Sequence, residues 1–186
     1  SLELARGVNE LGQGRTRRGL RRLGRALAVL DGSKDVSWMQ AKARAALARH
    51  LVDESAGIQM VNGRRAVKNL TTRAAAISGA EHQIIAVANL GEPEYALVGL
   101  ELLGDAYMAL HDDLLAAPVP PELTADQVEI YREALGEKAS VLARKAWRYY
   151  DQGVGLATRT QWQGAVSERL RDRRDALGLD RATPGI

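Results

Sequence analysis

The sequence predicts an all-α protein of about seven helices. Three observations carry that reading. Apolar residues recur at spacings of three and four along most of the 186 residues, the period of a helix with one buried face. The breaks between these runs are short and rich in Gly, Pro, Asp and Asn, the residues that stop helices and form turns. No run alternates apolar and polar residues as a half-buried strand would.

Residues 2–13 set Leu4, Val8 and Leu11 on one stripe, with Gly12 and Gly14 flanking the end. The helix of about 16–30 carries Leu20, Leu23, Leu27 and Leu30 on one face, and Asp31-Gly32-Ser33 reads as its stop and turn. A helix from near Asp35 to near Asp53 turns Trp38, Ala41, Ala45 and Ala48 one way, and residues 54–63 leave room for a short helix closing at Asn62-Gly63. From Arg64 a long stripe follows: Val67, Leu70, Ala74, Ile77, Ala80, Ile84, Val87 and Leu90, with Gly79 a place for a bend.

Gly91-Glu92-Pro93 is a clean boundary, because glycine caps one helix in the left-handed region and proline suits the first turn of the next. Helix 94–116 comes next. Pro118-Val119-Pro120-Pro121 cannot be helical, since three of its residues lack an N–H donor. Helix 125–157 has a full start signal: Thr124 as N-cap, Gln127 completing a capping box, and Leu123 with Val128 as a hydrophobic staple. Its stripe of Val128, Tyr131, Leu135, Leu142, Ala146 and Tyr149 is expected to face inward. Thr160 is expected to cap a last helix, 161–177, that buries Trp162, Val166 and Leu170 and ends at Gly178. The helices pair as antiparallel hairpins over about 2–30, 35–90 and 94–157, and 161–177 caps the array. All lie in one domain, 1–178, followed by a loose tail, 179–186.

Composition sets further bounds. Apolar mass comes from Ala and Leu; there is no Phe and no Cys. Disulfides and thiolate metal sites are therefore excluded, and no apolar run nears the ~18 residues of a membrane span. The chain opens inside a helical pattern at Ser1-Leu2-Glu3-Leu4, so the want of a secretory signal carries little weight. Charge is uneven. Residues 1–93 hold 15 Lys/Arg and 8 Asp/Glu, net +7, and residues 94–186 hold 11 and 15, net −4. Such a split implies two different surfaces, or like molecules meeting head to tail.

Leu100-x-x-Leu103-Gly104-x-x-Tyr107 has the spacing of the first helix of a tetratricopeptide repeat, with Leu in place of the usual Trp. In residues 2–30, Gly7, Gly14, Gly19, Leu23 and Ala26 fall where that family wants its tight inter-helix contact, its turn and its small-large-small series. Asp31 stands where the family has proline. The whole chain thus resembles tetratricopeptide-like α-solenoids. Residues 94–175 resemble the C-terminal region of cell-envelope tetratricopeptide proteins of myxobacteria and their relatives, through Gly104/Tyr107, Pro118/Pro120/Leu123, Tyr131 and Trp162. The long helices 64–90 and 125–157 depart from the 34-residue unit. The resemblance implies a right-handed solenoid of stacked hairpins, a protein-binding groove lined by first helices, no enzymatic activity and no cofactor. It also implies a periplasmic or envelope-associated place in a motility or transport assembly, with the cytoplasm as the alternative.

His50, His82 and His111 have no second His at i+4, and no His-Glu-x-x-His, P-loop or nucleophile-elbow pattern is present. His111-Asp112-Asp113 reads as a solvated acidic helix end, although carboxylates there oppose the helix dipole. Asp53-Glu54-Ser55 with Gln59 reads as a helix end and cap. No catalytic or metal residue is assigned.

Two groups remain as binding candidates. Arg18, Arg21, Arg22 and Arg25 share one face of helix 16–30, opposite the Leu stripe. They suit an acidic protein partner or, as an alternative, nucleic acid or an anionic surface, though no aromatic residue interleaves for base stacking. Glu101, Asp105, Met108 and Asp112 fall on the groove-lining positions of helix 94–116 and suit a basic or amphipathic ligand. The plain alternative for both groups is a solvated helix face. Trp38 and Trp162, on apolar stripes, are expected in the core.

Overall fold

A computed structural model describes residues 2–30, 36–61 and 64–179. Within them lie seven helices: α1 Leu2–Gly12, α2 Thr16–Leu30, α3 Ser37–Ala56, α4 Arg64–Asn89, α5 Pro93–Leu115, α6 Ala125–Arg159 and α7 Ala165–Ala176. No strand occurs among the described residues, and none of these helices is long and apolar enough to cross a membrane. The predicted stop at Asp31-Gly32-Ser33, the start near Asp35, the closure at Asn62-Gly63 and the tail from residue 180 lie outside the described residues.

The helices pair α1 with α2, α3 with α4 and α5 with α6. The odd helices also touch in series, α1 on α3, α3 on α5 and α5 on α7, and each even helix reaches the odd helix that follows it. Successive hairpins thus stack, with α7 closing the last one. Three apolar clusters fill the stack: one around Leu4, Leu23, Leu27 and Ala43, one around Ala48, Ile84 and Leu103, and one around Tyr107, Tyr150 and Leu170.

Close approach at glycine sets the packing. An added Cβ would stand 2.6 Å from Leu23 at Gly7, 2.4 Å from Ile84 at Gly99, 2.1 Å from Tyr150 at Gly104 and 2.7 Å from Leu170 at Gly153. Each large side chain sits on the bare backbone of the neighbouring helix, so the axes come closer than a methyl group would permit.

A polar knot ties α4, α5 and α6. Glu81 Oε1 accepts hydrogen bonds from Tyr107 at 2.7 Å and Tyr149 at 2.5 Å and pairs with Lys145 Nζ at 2.8 Å. Lys145 also donates to the Tyr107 hydroxyl at 2.6 Å and lies 4.4 Å from its ring centroid. The two tyrosine rings stack at 5.8 Å. Burial alone would raise the Glu81 carboxyl. The bonds from Lys145, Tyr149 and Tyr107 outweigh it and hold the group below its ordinary value. Burial and the Glu81 charge push both phenols well up, so they stay protonated donors.

Several expectations are corrected. Trp38 is 50% exposed, because the buried face of α3 is turned toward Gln40, Ala41 and Ala43. Val67 and Ala74 are exposed, and the buried position in that part of α4 is Arg73, 2% exposed. Arg73 pairs with Asp113 at 2.7 Å, so the acidic end of α5 is tied to α4 rather than merely solvated. α3 runs on to Ala56, and residues 57–61 are not helical. Thr160 does not begin the last helix; it is the C-cap of α6. Positive φ at Gln161 and Gly164 turns the chain before α7 starts at Ala165, which leaves Trp162 in the turn and exposed. The capping box at Thr124 and Gln127 forms as expected.

The start of α6 outruns its partner. Gly104 faces Tyr150 and Tyr107 faces Tyr149, so the antiparallel pairing ends with α5, near Ala139, the first buried residue of α6. Residues 125–138 project about 20 Å beyond that point. Val128, Tyr131 and Leu135 there are only half-buried, not inward-facing core, and Ile130 is 65% exposed.

Two measurements test this account. In urea denaturation, Gly104→Ala is expected to cost about 1–3 kcal/mol through overpacking. Gly136→Ala, which meets no atom within 4 Å, should instead stabilise by about 0.5–1 kcal/mol because it lies inside a helix. Glu81→Gln should cost about 1–3 kcal/mol near neutral pH. The sign of its pH dependence follows from the lowered carboxyl. The stabilisation is complete above the unfolded value of about 4.3 and fades as pH falls through the lower folded value. A denaturation series from pH 7 to pH 3 should therefore show a flatter acid limb in the Gln variant than in the native chain.

Candidate functional site

α2 has Leu23 and Leu27 buried toward α1 and leaves its other face open. On that face Arg18, Arg21, Arg22 and Arg25 line one cavity of about 600 Å³ together with Ala26, Val29, Leu30 and Glu3 of α1. The four arginines expected on one face are thus brought together. They surround an apolar strip rather than forming a plain ridge. Val29 is 84% exposed within it, and Leu30, expected on the packed stripe, also borders the cavity. A second cavity of about 300 Å³ adjoins it, lined by Arg6, Asn9, Glu10, Gln13, Arg15 and again Arg18 and Arg22.

The arginines are not equivalent. Glu10 is buried and bonds both Arg18 Nε at 3.1 Å and Arg22 Nε at 3.2 Å. Arg22 Nη1 reaches Glu3 at 2.6 Å. The bond from Arg22 holds the Glu3 carboxyl below its ordinary value, and Glu3 and Glu10 together raise the Arg22 guanidinium. Arg21 and Arg25 have no carboxylate partner among the described residues. The arrangement offers two oriented arginines, two available ones and an apolar floor. It can hold a carboxylate-bearing ligand with an apolar anchor.

Sequence reasoning missed Glu3 and Glu10. Their spacing of seven puts both on one face of α1, and the predicted α1–α2 hairpin turns that face toward Arg18 and Arg22. The signal was present, but it becomes visible only once the two helices are set antiparallel.

The acidic group on α5 lies elsewhere. Glu101 is 7% exposed and is gripped by α7: Arg169 donates to it from Nε at 2.5 Å and Nη2 at 2.8 Å. Asp105 pairs with Arg173 and accepts from the Tyr150 hydroxyl at 2.9 Å. The bond to Glu101 raises the Arg169 guanidinium, and burial followed by the Asp105 charge pushes the Tyr150 phenol well up. Met108 packs against the third apolar cluster. Asp112 is exposed and meets His111 Nδ1 at 2.7 Å. The expectation that all four line an open groove is therefore corrected at Glu101 and Asp105, which the arginines of α7 cover, while Asp112 stays exposed. No helix–helix contact joins α1 or α2 to α5, α6 or α7, so the two candidate groups form separate surfaces.

Among the described residues no three His, Asp or Glu side chains gather in a geometry that could hold a metal ion. No family profile, curated protein or solved structure matches the chain.

Proposed function

We propose that this chain is a non-catalytic binding scaffold, a tetratricopeptide-like solenoid that holds a segment of a protein partner in the groove of α1 and α2. One observation carries the reading: four arginines converge on a single cavity whose floor is Ala26, Val29 and Leu30. A wholly phosphate-directed site has no need of an apolar floor, and no aromatic side chain lines the cavity for base stacking. An acidic segment with an aliphatic anchor uses both features, and an amphipathic helix laid in a groove is a recurrent way to present them. The stacking of successive hairpins supports the solenoid reading, and the resemblance noted above favours a place in a bacterial envelope, motility or transport assembly. Acidic nucleic-acid or membrane surfaces remain the competing ligands, favoured by the further arginines at positions 6, 15 and 17 on the same hairpin.

The test is fluorescence anisotropy with two probes, a helical peptide carrying Glu at i, i+3 and i+7 around one Ile, and a short DNA duplex. Saturable peptide binding that weakens about tenfold or more in Arg21→Ala/Arg25→Ala is expected, since a lost charge pair of ~1.4 kcal/mol is a factor of ten. Duplex binding that is tighter than peptide binding and falls steeply with salt would overturn the reading.

A further inference from the structure

We propose that the segment filling the α1–α2 groove is the projecting start of α6 from a second copy of this chain, so that copies join head to tail. The inference rests on the groove reading above and names its partner.

The projecting arm carries the chemistry the groove lacks. Asp126, Ile130, Glu133 and Glu137 follow one another at spacings of four, three and four and so share one side of the helix. All four are exposed. Arg132 falls on the opposite side of the helix, and Lys138 flanks the acidic side. On α2, Arg18, Arg21, Arg25 and Val29 repeat at three, four and four. An acidic stripe with an exposed Ile therefore meets a basic stripe with an exposed Val at the same helical period. From Arg18 to Val29 the groove is about 16 Å long, and the arm extends about 20 Å beyond α5, enough to span it.

The fold prevents the arm from reaching its own groove. α2 touches only α1 and α3, while α6 is held by α5 and α7 at the other end of the stack. Self-docking is thus between molecules. Because the arm and groove are different surfaces, the contact is heterologous: each joined pair keeps one free groove and one free arm, and assembly continues unless a ring closes. The charge split of the chain, net +7 for residues 1–93 and net −4 for residues 94–186, orients successive copies the same way.

Sedimentation velocity on the full chain tests this. At low ionic strength the native chain should form species beyond a dimer that grow with concentration and fall apart as salt is added. Arg21→Glu/Arg25→Glu and Glu133→Lys/Glu137→Lys, each confirmed helical by circular dichroism, should each be monomeric alone. Mixed in equal amounts they should associate again and grow beyond a dimer by alternation, since the native arm of the first matches the native groove of the second and the reversed arm of the second matches the reversed groove of the first. A native chain that stays monomeric, a species that stops at dimer and survives the groove variant, or a mixture that stays monomeric overturns the proposal. If the native chain is monomeric while the acidic peptide still binds, the groove reading stands and only the self-docking fails. If the peptide is silent too, both fail.

Discussion

The structure depends on helices approaching one another at bare backbone. Gly7 receives Leu23, Gly99 receives Ile84, Gly104 receives Tyr150 and Gly153 receives Leu170, so a glycine lies under a large side chain at the α1–α2, α4–α5, α5–α6 and α6–α7 contacts. This explains how a chain with no Phe packs three apolar clusters largely from Ala, Leu and a few Ile, Val and Tyr side chains. Small residues bring the axes close, and dispersion contacts then accumulate over many backbone atoms. The arrangement is costly to alter, because a methyl group at any of these four glycines comes within 3 Å of a buried side chain and forces it to shift.

Close packing sets distance, and buried charge sets register. Glu81 gathers Tyr107, Tyr149 and Lys145 from two other helices. Arg73 pins α4 to the end of α5 through Asp113, and Glu101 and Asp105 hold α7 through Arg169 and Arg173. Such pairs add modest net stability but penalise any slip that would leave a charge buried alone. They also use up charge. The acidic residues in the middle of α5 are committed internally and are not free to meet a partner.

Much of the fold was legible in the sequence because helix signals are local. The Thr124/Gln127 capping box, the Gly91-Glu92-Pro93 boundary and the stripe Ile77, Ala80, Ile84, Val87 all correspond to what the structure contains. The misplacements share one cause. Periodicity marks which residues lie on one side of a helix, but not how far along that helix a neighbour reaches. Val67 on α4 and Val128 on α6 continue apolar stripes past the ends of their partner helices and so lie exposed or half-exposed. Thr160 has the residue type of an N-cap, yet α6 simply runs on to it. At the site, the four arginines were legible as a face. Their partner acids were not, because Glu3 and Glu10 come from another helix. Glu101 and Asp105 resembled groove residues until α7, whose arginines lie more than sixty positions away, was placed over them.

The groove owes its shape to a residue that does not face the ligand. Glu10 is buried and bonded to both Arg18 and Arg22, and Glu3 holds the far end of Arg22. Arg22, a long, rotamer-rich side chain, is therefore held before anything binds, and the ordering cost that a flexible arginine carries into a complex has been met there in folding. The same pairing subtracts charge, so Arg22 acts chiefly as a wall of the cavity, while Arg21 and Arg25 supply the attraction. A cavity with a held Arg22, two available cations and an exposed Val29 one turn past Arg25 discriminates by shape as well as by sign. A uniform polyanion can satisfy the cations but leaves Val29 in water, whereas a segment that interleaves acid and aliphatic residues at helical spacing satisfies both.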